Sequence, residues 1–141
     1  MTIAGAASRA ALRSAGDRVL LLEADGPSRT GRELEGRVQA LARALVDRGL
    51  GGERIGLWYW NSAAAVEAHL AVEWVAATRV PVDPGAPAAE AQAVFAAADV
   101  MAVLVDGAHQ HLGVVPGEVV EELHGAPSVQ GSVGPVVVVV V

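Results

Sequence analysis

The chain has 141 residues, a length suited to one domain with a real core. Its formal net charge is −6, its ten basic residues are all arginine, and no basic block occurs, which excludes the usual electrostatic footprint of nucleic-acid binding. Zero cysteines exclude disulfides, thiolate nucleophiles and cysteine metal sites, and no apolar run approaches the ~20 residues of a transmembrane segment.

Apolar residues make up 52% of the chain but aromatics only 4%, so alanine and valine supply most of the hydrophobic content. The apolar surface is broad and shallow, as in a piece of a larger assembly. Absence of disulfides is compatible with the cytosol, and a cytoplasmic location is the expectation. The first sixteen residues carry Arg9 and Arg13 and no acid. They read as an amphipathic helix over 6–14, with Leu12 facing inward, rather than as a targeting segment.

A strand is expected over 18–24, through Val19-Leu20-Leu21-Leu22, followed by a turn at Asp25-Gly26 and a return through Ser28 and Arg29. Thr30 opens the best-marked helix. Thr30-x-x-Glu33 is a capping box, in which the hydroxyl and the carboxylate satisfy first-turn amides reciprocally. Leu34, Val38, Leu41 and Leu45 form one apolar stripe. Glu33 with Arg37, and Arg43 with Asp47, stand at i,i+4 spacing. Gly49 ends the helix, and Gly51-Gly52 turns the chain onward.

Ile55, Leu57, Trp58, Tyr59 and Trp60 form a continuous apolar run, expected of a strand covered on both faces. Asn61 or Ser62 can cap the next helix, 63–77, with Val66, Leu70 and Trp74 on its inner side. Val80 and Val82 flank Pro81, so this third strand is either short or positioned where no ladder amide is needed. Pro87 suits the start of a helix to Ala98, with Val94, Phe95 and Ala98 buried. Val103-Leu104-Val105 is the next strand. Beyond Asp106 the pattern weakens: 118–124 reads as a helical turn or two. The all-valine run 136–141 reads as a buried strand, a frame error, an engineered end or a placeholder. Such a run is expected to promote association and to add little to folding.

The fold class expected from this succession is α/β, a three-layer βαβαβ unit with parallel strands near 54–60, 79–82 and 101–105, flanking helices and right-handed crossovers. Candidate sites each have a bland counterpart. His109 and His111 form an H-x-H pair near Asp106, without the further ligands a metal needs. His69 and Glu73 lie one helical turn apart, a helix-face link rather than an acid–base pair. Trp58, Tyr59 and Trp60 read as core rather than as a stacking platform. Gly49-Leu50-Gly51-Gly52 precedes a strand, so it is a turn and not a phosphate loop. Asp83 and Asp106 end their strands at the edge where α/β sheets bind ligands.

Several stretches resemble the N-terminal part of an AMP-forming acyl-CoA synthetase, in the adenylate-forming superfamily. Thr30-Gly31-Arg32-Glu33-Leu34 is similar to the family's T-Y-x-E-L, with Gly31 where tyrosine is usual. Ala44 to Ser62 is similar to its A-L-x-x-x-G-x-x-x-G-D-R-V-A-L…N-S stretch, with Glu53 in the aspartate's place. Val80-Pro81-Val82-Asp83-Pro84, followed by Pro87 and Glu90, resembles V-P-L-N/D-P and P-x-x-E. Ala76 stands where the family commonly has glycine. The likeness runs from Val19 to Asp106, and Asn61-Ser62 looks more like an acyl-CoA synthetase than a peptide-synthetase adenylation domain.

The resemblance implies a parent reaction of carboxylate, ATP and CoA to acyl-CoA, AMP and pyrophosphate, with ATP, Mg and CoA as cofactors of the full-length family. It implies no catalytic, cofactor-binding or metal residue here. The family's phosphate loop ends in P-K-G, of which Gly131-Ser132-Val133-Gly134-Pro135 is a poor echo, and this chain has no lysine at all. Arginine does not replace a mobile ammonium. The domain reading is 1–17 as an N-terminal helix or arm, 18–106 as the α/β subdomain, and 107–141 as an irregular, Gly/Pro-rich and valine-ended segment. The chain reads as a truncated scaffold, inactive alone, with self-association or the missing downstream segment as its expected partner. Two other functions stay open, a free-standing non-catalytic partner-binding protein and a small nucleotide-binding α/β domain.

Overall fold

A computed structural model describes residues 2–106, 119–122 and 137–140. Helix α1 (Ile3–Ala15) leads into a hairpin of β1 (Val19–Leu22) and β2 (Ser28–Thr30), then α2 (Gly31–Asp47). Strand β3 (Arg54–Trp58), α3 (Ala63–Trp74), β4 (Thr78–Pro81), α4 (Ala88–Ala97) and β5 (Ala102–Val105) follow, with β6 (Val119–Glu122) and β7 (Val137–Val140) last. The main sheet has the order β4-β3-β5-β7-β6, with β3 parallel to β4 and β5.

Alternation along β3 and β5 divides the core into two layers, because successive side chains point to opposite faces. Ile55, Leu57, Tyr59, Ala102 and Leu104 pack against α1, α2 and α3. Trp58, Val103 and Val105 pack on the other face with Ala91 and Phe95 of α4. The expected three-layer α/β unit with three parallel strands is therefore what the chain forms.

The α2 stripe is buried as expected, at Leu34, Val38, Leu41 and Leu45. The capping box is complete: Thr30 Oγ1 accepts the Glu33 amide at 3.2 Å, and Glu33 Oε2 accepts the Thr30 amide at 2.8 Å. These bonds hold the Glu33 carboxyl below the usual carboxylate range, the Thr30 amide first among the causes. Gly31 begins the helix against the end of α1, where a Cβ would sit 2.5 Å from the Leu12 carbonyl oxygen. Only glycine fits that contact, which explains the departure from tyrosine at this position. Gly56 is equally confined, since a Cβ there would lie 2.6 Å from the Phe95 ring.

Three expectations are corrected, and one open alternative is decided. In α3 the inner face is Ala68, Ala71, Val72 and Trp74, while Val66 is exposed and Leu70 half-buried. The stripe of larger residues misled because Ala68 and Ala71 share the buried face with Val72 and Trp74. In α4 the buried residues are Ala91 and Phe95, and Val94 is exposed. Residues 119–122 are strand β6 rather than a helical turn, consistent with the β-branched Val119-Val120 pair. Residues 137–140 form β7, an interior strand antiparallel to both β5 and β6, so this part of the valine run supplies backbone pairing to the sheet.

Strand β4 is one edge of the sheet and Pro81 its last residue, which is how the proline is tolerated. Ala76, just past α3, has φ +58°, the left-handed conformation that a glycine adopts without strain. That geometry accounts for glycine being the usual residue at its position in the resembling sequences.

Candidate functional site

The carboxyl ends of β3, β4 and β5 carry the residues expected to face a ligand. Trp58 is fully buried among the α4-side residues and Tyr59 is buried on the opposite face, while Trp60 is 51% exposed. The three aromatics therefore form no common platform, and Trp60 is not core. It leaves the core because β3 ends at Trp58 and the chain turns there toward α3.

Both expected aspartates are built into the backbone of this edge. Asp83 accepts the Gly85 amide on Oδ1 at 2.8 Å, a side-chain turn that shapes the loop before α4, and its carbonyl accepts the Trp58 indole N–H at 3.1 Å. Asp106 Oδ2 accepts the Trp60 amide at 2.7 Å, tying the end of β5 to the end of β3. These are positions that hold the loops in place.

Beside this edge lies a cleft of about 790 Å³ between the β1–β2 hairpin and the first half of α3. Leu21, Leu22 and the turn through Gly26 form one wall, and Ala65, Val66, His69 and Leu70 the other. The N-terminus of α3 opens at its end. Ser62 Oγ accepts the Ala65 amide at 3.1 Å, and the Glu23 carboxylate reaches from the hairpin to accept the Ala63 amide. A carboxylate thus occupies the positive end of the helix dipole, where negative charge is favoured.

His69 lines this cleft. Burial, and secondarily the Arg79 charge, pushes its pKa below the ordinary imidazole value. The link to Glu73 is not formed. Glu73 instead accepts a hydrogen bond from Ser8 Oγ at 2.8 Å and pairs with Arg79 at 3.7 Å, because those groups lie under the end of α3. Arg9 lies over the Trp74 ring, 5.3 Å from its centroid, and the Trp74 indole donates to Ser8.

Two buried polar features escaped the sequence reading. Glu67, 3% exposed, sits between Arg29 at 3.4 Å and Arg37 at 2.5 Å, joining β2, α2 and α3 through one carboxylate. Arg37 thereby turns away from an i,i+4 pairing with Glu33. An acid in the first half of an otherwise Ala/Val-rich helix was the available signal. The other is the Tyr59 hydroxyl, which is buried and has no hydrogen-bond partner. Burial first, then Asp106 and Glu67, raises its pKa well above the ordinary phenol value.

The described residues contain no lysine, the Gly49-Gly52 segment is a turn with Gly49 and Gly52 at positive φ, and the Glu23 carboxylate accepts an amide at the α3 N-terminus. Among them no group of three potential metal ligands converges. No helix among them is long and apolar enough to cross a membrane. His109, His111 and Gly131 to Pro135 lie outside the described residues.

The family model for AMP-binding enzymes matches residues 8–140. The chain is 47% identical over 68 residues to the hybrid PKS-NRPS synthetase mycA of Thermothelomyces thermophilus, across 48% of this chain and 2% of that protein. Its fold is similar to the N-terminal subdomain of NpsA from Klebsiella oxytoca, solved with 3-hydroxybenzoyl-AMSN. The TM-score is 0.66 at 27% identity, covering 79% of this chain and 27% of that one. A benzoate CoA ligase from Burkholderia xenovorans shares the fold with a TM-score of 0.70 at 23% identity, covering 77% of this chain and 22% of that one. The chain thus spans about a quarter of the solved relatives' length.

Proposed function

The chain belongs to the AMP-binding enzyme family, and we propose that it is the N-terminal scaffold portion of an acid–CoA ligase, inactive by itself. The parent reaction joins a carboxylate to ATP, releasing pyrophosphate, and passes the acyl group to CoA. The observation that carries this reading is the succession of Thr30 to Leu34, Asn61-Ser62 and Val80 to Pro84 on one βαβαβ unit whose polar groups are committed to structure. Asp83, Asp106, Ser62 and Glu23 all hold backbone amides.

Stabilising the charge that develops on a transferring phosphoryl group takes preorganised donors and a metal ion. A lysine-free chain offers no ammonium for the family's phosphate loop. Its contribution is a rigid wall, fixed by the Glu67 ion triad and by the α1–α2–α3 packing. The 47% identity to a PKS-NRPS synthetase favours a second reading, in which the acyl group passes to a carrier protein instead of CoA.

Mixing tests the proposal. The chain is combined with a separately expressed segment carrying the family's phosphate loop and the chain downstream of it, and carboxylate-dependent ATP–pyrophosphate exchange is measured. Exchange on mixing supports the scaffold reading, and transfer to CoA or to a carrier protein then separates the two acceptors. Saturable ATP binding by the chain alone would instead favour a small nucleotide-binding domain. Silence with and without the segment would favour a non-catalytic binding protein.

A further inference from the structure

We propose that the arm of the β1–β2 hairpin, residues 21–29, is a strap latched across the cleft, which opens as a unit while the rest of the described fold stays intact. The inference rests on the hairpin and is independent of the family reading. Among the described residues the hairpin is a two-stranded sheet of its own, with no ladder to the five-stranded sheet. Its base is pinned. The Gly31 amide donates to the Arg18 carbonyl at 3.1 Å, Arg32 pairs with Asp17 at 2.9 Å, and Thr30 belongs to the α2 capping box. The ladder then breaks between Val19 and Leu21, an irregularity that bends a strand and gives the arm a pivot. In β1 only Leu21 packs against the core, while Val19, Leu20 and Leu22 are exposed. So few buried contacts place the arm at the low end of local stability.

Two latches cross from the arm to α3. Near the tip, the Glu23 carboxylate accepts the Ala63 amide. Gly26 leaves room for that carboxylate, since a Cβ there would lie 2.2 Å from Glu23 Oε2. Nearer the base, Arg29 pairs with Glu67 at 3.4 Å. Both latches can release without stranding a buried partner. Glu67 keeps Arg37 at 2.5 Å, so its carboxylate stays paired when Arg29 leaves. The Ala63 amide belongs to the first turn of α3, where no helical carbonyl pairs with it, and water reaches it once the arm lifts. The strap thereby governs entry to the cleft between the hairpin and α3.

The test is residue-resolved amide hydrogen exchange of the intact chain across a series of low urea concentrations. The Ala63 amide and the ladder amides of the arm should exchange through one shared opening that responds little to urea. Val38 and Leu57 should follow global unfolding, with a steep response. Glu23→Ala and, separately, Gly26→Ala should each speed exchange of Ala63 and the arm about tenfold. Phe95→Leu, on the other face of the sheet, should speed Val38 and Leu57 and leave the arm unchanged, because the opened state keeps that packing. Arm amides that accelerate with Phe95→Leu would show that the hairpin opens only when the whole chain unfolds. That result, arm amides indifferent to Glu23→Ala, or Ala63 exchanging without the arm would each overturn the proposal.

Discussion

Replacing Glu67 by glutamine keeps the side chain's shape and removes the one negative charge between Arg29 and Arg37. Those arginine side chains are 12% and 15% exposed, so little water is available to compensate them. Removing one partner of a buried ion pair costs about 3–5 kcal/mol, since the remaining charge is left unpaired. The residual exposure of both guanidinium groups places the expected loss near the lower bound, about 3 kcal/mol. That is a large fraction of the roughly 5–15 kcal/mol by which domains are stable. Urea unfolding followed by far-ultraviolet circular dichroism should show a lower midpoint with an unchanged slope. The combined change Arg29→Met, Glu67→Leu and Arg37→Met, which removes all the charge at once, should be neutral or stabilising. A Glu67→Gln variant as stable as the unmodified protein would refute the buried triad.

Three further perturbations read other parts of the fold. Ala76→Gly should stabilise the protein by about 1 kcal/mol, because it relieves a left-handed backbone that costs a residue with a Cβ about 1–2 kcal/mol; a lower thermal midpoint would contradict this. Thr30→Ala should cost about 0.5–2 kcal/mol, measured by urea unfolding, and an unchanged midpoint would mean that the capping box does not hold α2. The Glu33 part of that stabilisation, from a folded pKa held below the unfolded one, is present above the ordinary carboxylate range and is lost as pH falls through the folded value. Tyr59→Phe should raise stability by about 1 kcal/mol at neutral pH by removing an unpartnered buried hydroxyl, as checked by thermal unfolding. Because the folded Tyr59 pKa is raised, the unmodified chain should lose stability as pH climbs past about 10, where the unfolded phenol ionises, and the variant should lose less. Tyr59 is the single tyrosine, so its ionisation can be followed directly by absorbance.

What was legible in the sequence was what periodicity and capping encode. Helix α2 announced itself through Thr30, Glu33 and a leucine–valine stripe, and the continuous apolar run from Ile55 marked a strand buried on both faces. Helix α3 was misjudged because half of its buried residues, Ala63, Ala68 and Ala71, are alanines, which gives little contrast with its outer face. The partner of Glu67 was invisible for another reason: Arg29, Arg37 and Glu67 come from three elements, and only tertiary packing brings them together. Gly31 and Ala76 sit at departures from the resembling motifs, and each has a backbone explanation that appears only with α1 and the end of α3 in place. The commitment of Asp83 and Asp106 to local amides likewise depended on loop geometry that their positions at strand ends did not specify.

The most direct test of the scaffold account is carboxylate-dependent ATP–pyrophosphate exchange by the highly purified chain alone, with a panel of carboxylic acids and magnesium. The account predicts no exchange above background, because the chain holds no lysine and the N-terminus of α3 is closed by Glu23 and Ser62. Exchange that copurifies with this chain and scales with its concentration would contradict it.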